Sequence, residues 1–487
     1  MSDTSGVGDY QNPVKFDFAV PANLTGGARL IHGANRGLMP ASALEALYEH
    51  FCASCQYGSL TVGGLFGQYQ RWMGLNDADV AWLEAVGRAF AAAGGSGSVI
   101  LADVALEAGL RAAGVSVTRA DIQVSSPTLS GIDPATGYIE DPVNSATGNF
   151  VLPETDVVFG GPSQGLAISR MYNSTLAAAY DEPEACGVLG PGWSTILDQR
   201  LIVTDEQARW VRDDGREIVF PLTGRNGASG SPTAEGCHTV EGPWRAAQDN
   251  VWISRGDAAD LAGVQGATVA GPVWIVADNT GSRLIFTAEG AWVGSTSGAG
   301  DGIWIERRDG MAISMHSEWG RSVDLFYAQG RLAKAVASDG RSVSYAYDSH
   351  GRLVEVTRPD GVHRYQWDGW LLSQVIDASG VAQCVNTFDE AGRIRTQRDA
   401  TGHLTRFTYL PGGVTVADDG QGHHCNTWIS DARGRTVGII DADGQRTSML
   451  YDRYGNLVSA TDRAGKVIRH TYDGRGHCAR TTLPTGG

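Results

Sequence analysis

The stretch Tyr451–Gly465, YDRYGNLVSATDRAG, decides the fold. It opens on an aromatic–aspartate pair, reaches Gly455, and ends on a second Asp-x-x-Gly at Asp462–Gly465. Glycine takes the positive φ of a tight turn, and an aspartate shortly before it can bond the turn backbone. The residues between the glycines suffice for one β-strand. Along it Leu457, Ser459 and Thr461 alternate with Val458 and Ala460, so the pattern predicts two opposite faces. The stretch therefore reads as one β-hairpin.

The same hairpin recurs. YDSHGRLVEVTRPDG stands at 347–361 and YDGRGHCARTTLPTGG at 472–487. Glycines align at Gly330, Gly351, Gly392, Gly413, Gly434, Gly455 and Gly476, with YQWDGWLL (365–372) as a degenerate copy. A second turn falls mid-repeat at Gly340, Gly361, Gly380, Gly402, Gly422, Gly444 and Gly465, and the period is about 21 residues. A lone hairpin is marginal in water. Stacking hairpins edge to edge buries the aromatic of each Tyr-Asp unit, at Tyr347, Phe388, Tyr451 or Tyr472, against its neighbours.

These repeats resemble the YD repeats of Rhs proteins. Upstream, DPVNSATGNFVLPETDVVF (141–159), YNSTLAAAYDEPEACGVLGPGWSTILDQRLIV (172–203) and RWVRDDGREIVFPL (209–222) resemble the opening of the Rhs core. The resemblance implies a polymorphic toxin: a hollow β-shell that encloses a C-terminal toxin domain until delivery. The expected fold is mainly β, YD-repeat hairpins in a curled or spiral shell segment, behind a small α-helical N-terminal domain.

The rest of the chain is read around that frame. Residues 1–39 are expected to be a flexible segment and 40–115 a helical domain. Leu44, Leu47, Tyr48, Phe51, Cys52 and Cys55 form one helical stripe. A second helix, capped by Asn76 or Asp77, carries Val80, Leu83, Val86 and Phe90; a third runs from about Ser98 to Ala113. Trp72–Gly74, WMG, lies between two predicted helices and resembles the Trp-x-Gly turn of type VII secretion substrates; the alternative is a plain helical domain with Trp72 in its core. Residues 116–140, rich in Pro, Ser, Gly and Thr, read as a linker, 141–222 as the β domain opening the core, 223–329 as further shell and 330–487 as repeats.

Composition excludes several functions. A net charge of −16 over 487 residues argues against a nucleic-acid binder, which needs clustered Lys and Arg. No run is long and apolar enough for a membrane span, and the first residues lack the pattern of a Sec signal peptide, so export by a non-Sec route is expected. Seven scattered cysteines are not a disulfide framework, and Cys52 and Cys55 read as buried thiols.

No catalytic, cofactor or metal site is expected. GPSQG (161–165) matches G-x-S-x-G, but a strand follows it where a nucleophile elbow needs a helix. His423, His424 and Cys425 stand near Asp418 and Asp419, yet adjacent strand residues face opposite ways and cannot readily share an ion. Asp213 and Asp214 precede a glycine and read as turn residues.

The function expected is therefore a non-enzymatic scaffold that encloses and delivers a toxin absent from these residues, with the toxin domain and export machinery as partners. The rival is an extracellular binder of glycans or a cell-surface receptor, using Trp244, Trp252, Trp274, Trp292 and Trp304 as stacking platforms. About fourteen repeat strands at roughly 4.8 Å give a strip of about 70 Å, too short to wind into a closed shell. A fragment, a truncated gene product, or a subunit completed by another chain is expected.

Overall fold

The computed structural model describes residues 16–19, 21–54, 65–93, 99–113, 130–159, 165–179, 186–222, 243–257, 264, 269, 271–298, 301–410, 412–420 and 425–484. They fall in two compact units, Met1–Ala120 and Asp121–Gly487.

In the first unit, α1 (Pro21–Gly37), α2 (Ala41–Ser54), α3 (Leu65–Ala93) and α4 (Asp103–Ala112) accompany a two-stranded sheet, β1 (Phe16–Ala19) with β2 (Val99–Ala102). The core is small: Ala85, Val86, Phe90 and Leu110, flanked by Leu24, Trp82 and Leu106. Several expectations need correction. Phe16–Ala19 is strand and Pro21–Gly37 helix, not a flexible segment. Helix α1 holds four glycines and has poor intrinsic propensity, but Asn35 fixes it to α3 by donating to Met73 O (3.2 Å) and Asp77 Oδ1 (2.9 Å). Asn76 donates to Asn35 Oδ1 (3.0 Å). With Asn76 and Asp77 tied from outside, α3 continues through them and neither caps a helix. Trp72–Gly74 therefore lies inside a helix, and Trp72 is 48% exposed, its ring stacked on Tyr69 rather than in the core. Leu47 is likewise exposed. Val99–Ala102 is strand, so the third helix starts later than its pattern suggested. The side chains of Cys52 and Cys55 lie outside the described residues.

The second unit is built on one antiparallel sheet of 23 strands, taken strictly in chain order from Trp244–Arg245 to Cys478–Thr482. At roughly 4.8 Å per strand it measures about 105 Å across. The strip expected from the periodic text alone was too short, because the sheet begins well before the periodicity does. It bends far enough for its late hairpins to touch its first ones: Asn250 Nδ2 donates to Asn456 Oδ1 (2.6 Å), Arg245 Nη1 to Gly474 O (3.1 Å), and His477 Nε2 to Asn279 O (2.7 Å).

The repeat is stitched by the aspartates that open its turns. Asp348, Asp389, Asp431, Asp452 and Asp473 each accept, through Oδ1, from the amides two and four residues on. The intervening glycine has positive φ, 76° at Gly351 and 84° at Gly455, which a side chain would strain. Just past each turn the register slips. Tyr347 pairs with Leu353 but Ala346 with Glu355, and Tyr451 pairs with Leu457 but Leu450 with Ser459. Each slip is a β-bulge, which inserts one residue. Buried positions on these strands are consequently three apart, not two: Leu332 and Ala335, Leu353 and Val356, Leu372 and Val375, Ile394 and Gln397. The uniform alternation expected along 457–461 is broken for the same reason.

Residues 130–222 form a separate set of small sheets: β3 (Tyr138–Ile139) with β4 (Val143–Asn144); β5 (Val151–Val158), β6 (Ala167–Asn173) and β7 (Trp193–Thr195); and β8 (Arg200–Val203), β9 (Gln207–Val211) and β10 (Glu217–Pro221). One helical turn, α5 (Ser174–Ala178), interrupts the β run. A single core joins this body to the long sheet, running from Ile139, Phe150, Tyr172 and Trp193 through Leu325, Tyr345 and Leu372 to Ala417. The end of the expected linker belongs here as well. Ser130, Asp133, Ala135, Thr136 and Ile139 are buried.

Candidate functional site

The feature that the fold positions is a plug, residues 130–222, seated on the repeats. Its seat is created by the bulges. The ladder between one hairpin and the next stops short, at Lys334–Ser344, Gln374–Val385, Thr396–Arg406 and Gly438–Ser448. Beyond it the N–H and C=O of the residue following the turn are left over. A buried backbone group needs a partner.

The carbonyls find theirs in the next repeat. Tyr347 Oη donates to Leu332 O (2.7 Å), Tyr409 Oη to Ile394 O (2.7 Å) and Tyr472 Oη to Leu457 O (2.9 Å). Trp367 Nε1 does the same for Leu353 O (2.8 Å) and Asn386 Nδ2 for Leu372 O (3.4 Å). The aromatic of the Tyr-Asp unit is thus a hydrogen-bonding clamp as well as a packed ring, a role that sequence reasoning missed. The return of a hydroxyl or indole at Tyr347, Trp367, Tyr409 and Tyr472 was the available signal.

The amides find theirs in the plug. Leu332 N donates to Val188 O (2.9 Å), Leu372 N to Tyr172 Oη (2.9 Å), Ile394 N to Gly148 O (3.0 Å) and Thr436 N to Ala135 O (2.9 Å). These four rungs run in opposite order along the two segments. Gly148 has φ 71°, and a Cβ there would stand 2.6 Å from Arg393 Cβ and Tyr409 Oη. Inside the plug, fully buried Asn173 ties the layers, accepting from Gly131 N (2.6 Å) and Asn149 Nδ2 (3.0 Å) and donating to Asp214 O (2.9 Å). Asp213 and Asp214 do sit in a turn, and Asp214 also accepts from Ile132 N (3.3 Å).

A buried ion network lies across the same junction. Arg170 is 2% exposed, with Nε 2.9 Å from Asp156 Oδ2 and Nη2 2.7 Å from Tyr365 Oη. Its guanidinium lies over Trp193, 4.4 Å from the ring centroid. Tyr345 Oη donates to the same Asp156 oxygen (2.9 Å), and Arg358 Nη1 reaches Glu154 Oε2 (2.8 Å). Burial works against the Arg170 charge, but Asp156 and then Tyr365 outweigh it, so its pKa lies above the ordinary arginine value. Burial also pushes the Tyr365 phenol up to about 12. Arg170 Nη1 and Asp156 Oδ1 have no hydrogen-bond partner among the described residues.

No group of three metal-ligating side chains occurs among the described residues. His423 and His424 lie outside them, as do Gly161–Gln164 of the G-x-S-x-G match. The strands flanking that match, β5 and β6, pair antiparallel, so no helix follows it. Cys384 is a buried free thiol, raised to about 12 by burial. Of the tryptophans read as a sugar platform, Trp274 and Trp292 are buried, and Trp244, Trp252 and Trp304 are half-buried. No helix among the described residues is long and apolar enough to cross a membrane.

Comparison with known proteins agrees with this layout. The RHS Repeat family matches residues 326–363, 431–467 and 451–487, and a domain of unknown function (DUF6531) matches 140–220. The chain is 31% identical over 165 residues to Toxin protein Tse5 of Pseudomonas aeruginosa, covering 34% of this chain and 11% of that protein. It is 24% identical over 323 residues to tRNA nuclease WapA of Bacillus subtilis, covering 64% and 13% respectively. It thus spans about a tenth of the length of these relatives. Among solved structures, TcdB2-TccC3 without its hypervariable C-terminal region matches 72% of this chain and 19% of that one, at 12% identity and a TM-score of 0.28.

Proposed function

We propose that this RHS-repeat chain, a relative of polymorphic toxins, is the plugged end of a shell: a non-enzymatic scaffold that encloses and delivers a toxin carried on further polypeptide. The observation that carries the reading is the set of four rungs. A segment that spends its backbone and side-chain acceptors on successive bulges closes one side of a curved sheet. The mechanism is exclusion. The wall keeps solvent and cytosolic proteins from whatever lies behind it, and the plug keeps that wall shut at this end.

The burial of Trp274 and Trp292 in the sheet favours this over glycan binding. A protease-sensitive reporter fused after the last repeat tests it. Trypsin should cut the reporter slowly in the intact chain and faster in Arg170→Met, which loosens the plug. Equal cutting in both, together with binding on a glycan array, would sink the scaffold reading.

A further inference from the structure

One guanidinium nitrogen carries two carboxylates. Arg216 Nη2, just before β10, lies 3.0 Å from Asp133 Oδ2 and 2.5 Å from Asp249 Oδ1. All three side chains are largely buried, yet Asp249 keeps 17% of its side chain exposed and so meets protons. The cluster joins two bodies. Asp133 and Arg216 belong to the plug, whereas Asp249 lies in the turn of the first hairpin of the long sheet, Trp244–Arg245 with Val251–Gly256. The next residue carries the contact onward. Asn250 accepts from Arg245 Nη2 (2.5 Å) and donates to Asn456 Oδ1 (2.6 Å). One turn therefore grips the plug with one residue and a late hairpin with the next.

The buried charges at this joint are uneven, with one cation facing two anions. Arg212 also faces the cluster, but Asp214 Oδ1 stands 3.8 Å from its Nε. On the far wall of the adjoining cavity, about 180 Å³ in volume, Arg433 donates to Arg453 O (2.7 Å) and Arg435 pairs with Asp431 (2.6 Å). Tyr454, on the same wall, bonds Arg453. Tyr138, whose hydroxyl accepts from Asp133 N (3.0 Å), stays neutral because burial pushes its phenol up to about 12. Asp133 Oδ1 accepts from Ala135 N (2.9 Å), a bond that favours the ionised form. Asp249 is thus the acid that takes a proton. Burial raises its pKa above the ordinary aspartate value; Arg216 offsets part of the rise and Asp133 adds to it.

We infer that Asp133, Arg216 and Asp249 form a proton-operated latch: one proton on Asp249 tightens the joint between plug and first hairpin and, through Asn250, the seam with the late hairpins. The proton leaves one carboxylate for one guanidinium, and the neutral acid still accepts from Arg216. An acid whose pKa is raised by folding contributes most below its unfolded value, about 3.9, and that contribution fades as pH climbs through the folded value. The seam is therefore firm in mild acid and slacker at neutral pH. The latch needs the seam alone and does not rest on the shell reading.

Hydrogen exchange of the whole chain, followed from about pH 4 to about pH 8 and corrected for intrinsic rates, tests this. A His477→Gln background removes the other titrating contact of the seam. Protection of residues 246–251 and 454–457 should fall at least tenfold as pH rises, while the rung amides of Leu372 and Ile394 keep theirs. Asp249→Asn is neutral at every pH, so those two segments should stay protected throughout. Asp133→Asn leaves one carboxylate per guanidinium and should flatten the profile as well. Carboxyl NMR should place the Asp249 titration above 3.8. A flat profile without either substitution, a pH dependence that survives both, or an Asp249→Asn chain less protected at every pH overturns the latch. The reporter digestion above reads enclosure independently, so the latch can fail while the shell stands, and the reverse.

Discussion

At the scale of residues, backbone hydrogen bonding decides most of what happens. Tyr347→Phe deletes the hydroxyl that satisfies Leu332 O and leaves a buried carbonyl unpaired. The expected cost is about 1–3 kcal/mol, read as a lower urea midpoint with unchanged slope. Arg170→Met takes the charged partner from buried Asp156, while Glu154 keeps Arg358, and should cost about 3–5 kcal/mol. Adding Asp156→Leu should recover much of that loss, since an apolar pair carries no desolvation penalty. If the double variant is as unstable as the single one, the network is not acting through charge burial. The turns were legible at this scale, because an aspartate three places before a glycine has few other uses. The clamp was not. A tyrosine that packs and a tyrosine that also donates look alike in a sequence, and the difference lies in a carbonyl fifteen residues earlier.

At the scale of elements, the hairpin repeat and its period could be read directly from the spacing of Gly and Asp. The bulge could not, since it has no residue signature of its own in Leu-Val or Ile-Arg, and it shifts every inward position after it. The helical unit was misjudged in a related way. Asn76 and Asp77 carry the chemistry of a helix start, yet their partner Asn35, over forty residues away, draws them into a continuous helix. The contact of the last hairpin with Asn279 gives a pH test. His477 donates to Asn279 O and faces Asp473, and these raise its pKa above the ordinary 6.5. A raised folded value means that its contribution is fully present below about pH 6.5 and fades as pH climbs through the folded pKa. A histidine titration by NMR should place His477 above 6.5, and Asn279 should shift with it. A value at or below 6.5 would show that the contact does not form in solution. Asp452→Ala removes the acceptor of two turn amides and should cost about 1–3 kcal/mol, with faster exchange at Tyr454 and Asn456.

At the scale of the whole second unit, one core connects plug and sheet, so they should unfold together. Asn173→Ala, deep in the plug, is expected to lower the unfolding midpoint reported by far-UV circular dichroism of the long sheet. Two separate transitions would mean that the plug is an independent domain. The mainly β class and the presence of repeats were evident from the text. The extent of the sheet was not, because between Trp244 and Ser317 the turn glycines, Gly281, Gly290 and Gly310, come without the Tyr-Asp pairs that mark the later repeats.

The opposite order of the rungs along plug and sheet has a kinetic consequence. The pairings 188–332, 172–372, 148–394 and 135–436 are nested, each arc enclosing the one before it. A chain emerging from the ribosome makes the plug first and then meets its partners from the innermost arc outward. Taken alone, the second arc would have to close a loop of 200 residues. Once the first has closed, the free chain is only about 56 residues, and the entropy of closure falls accordingly. Docking can then proceed like a zip, at the pace of synthesis, with no strand ever required to thread past another.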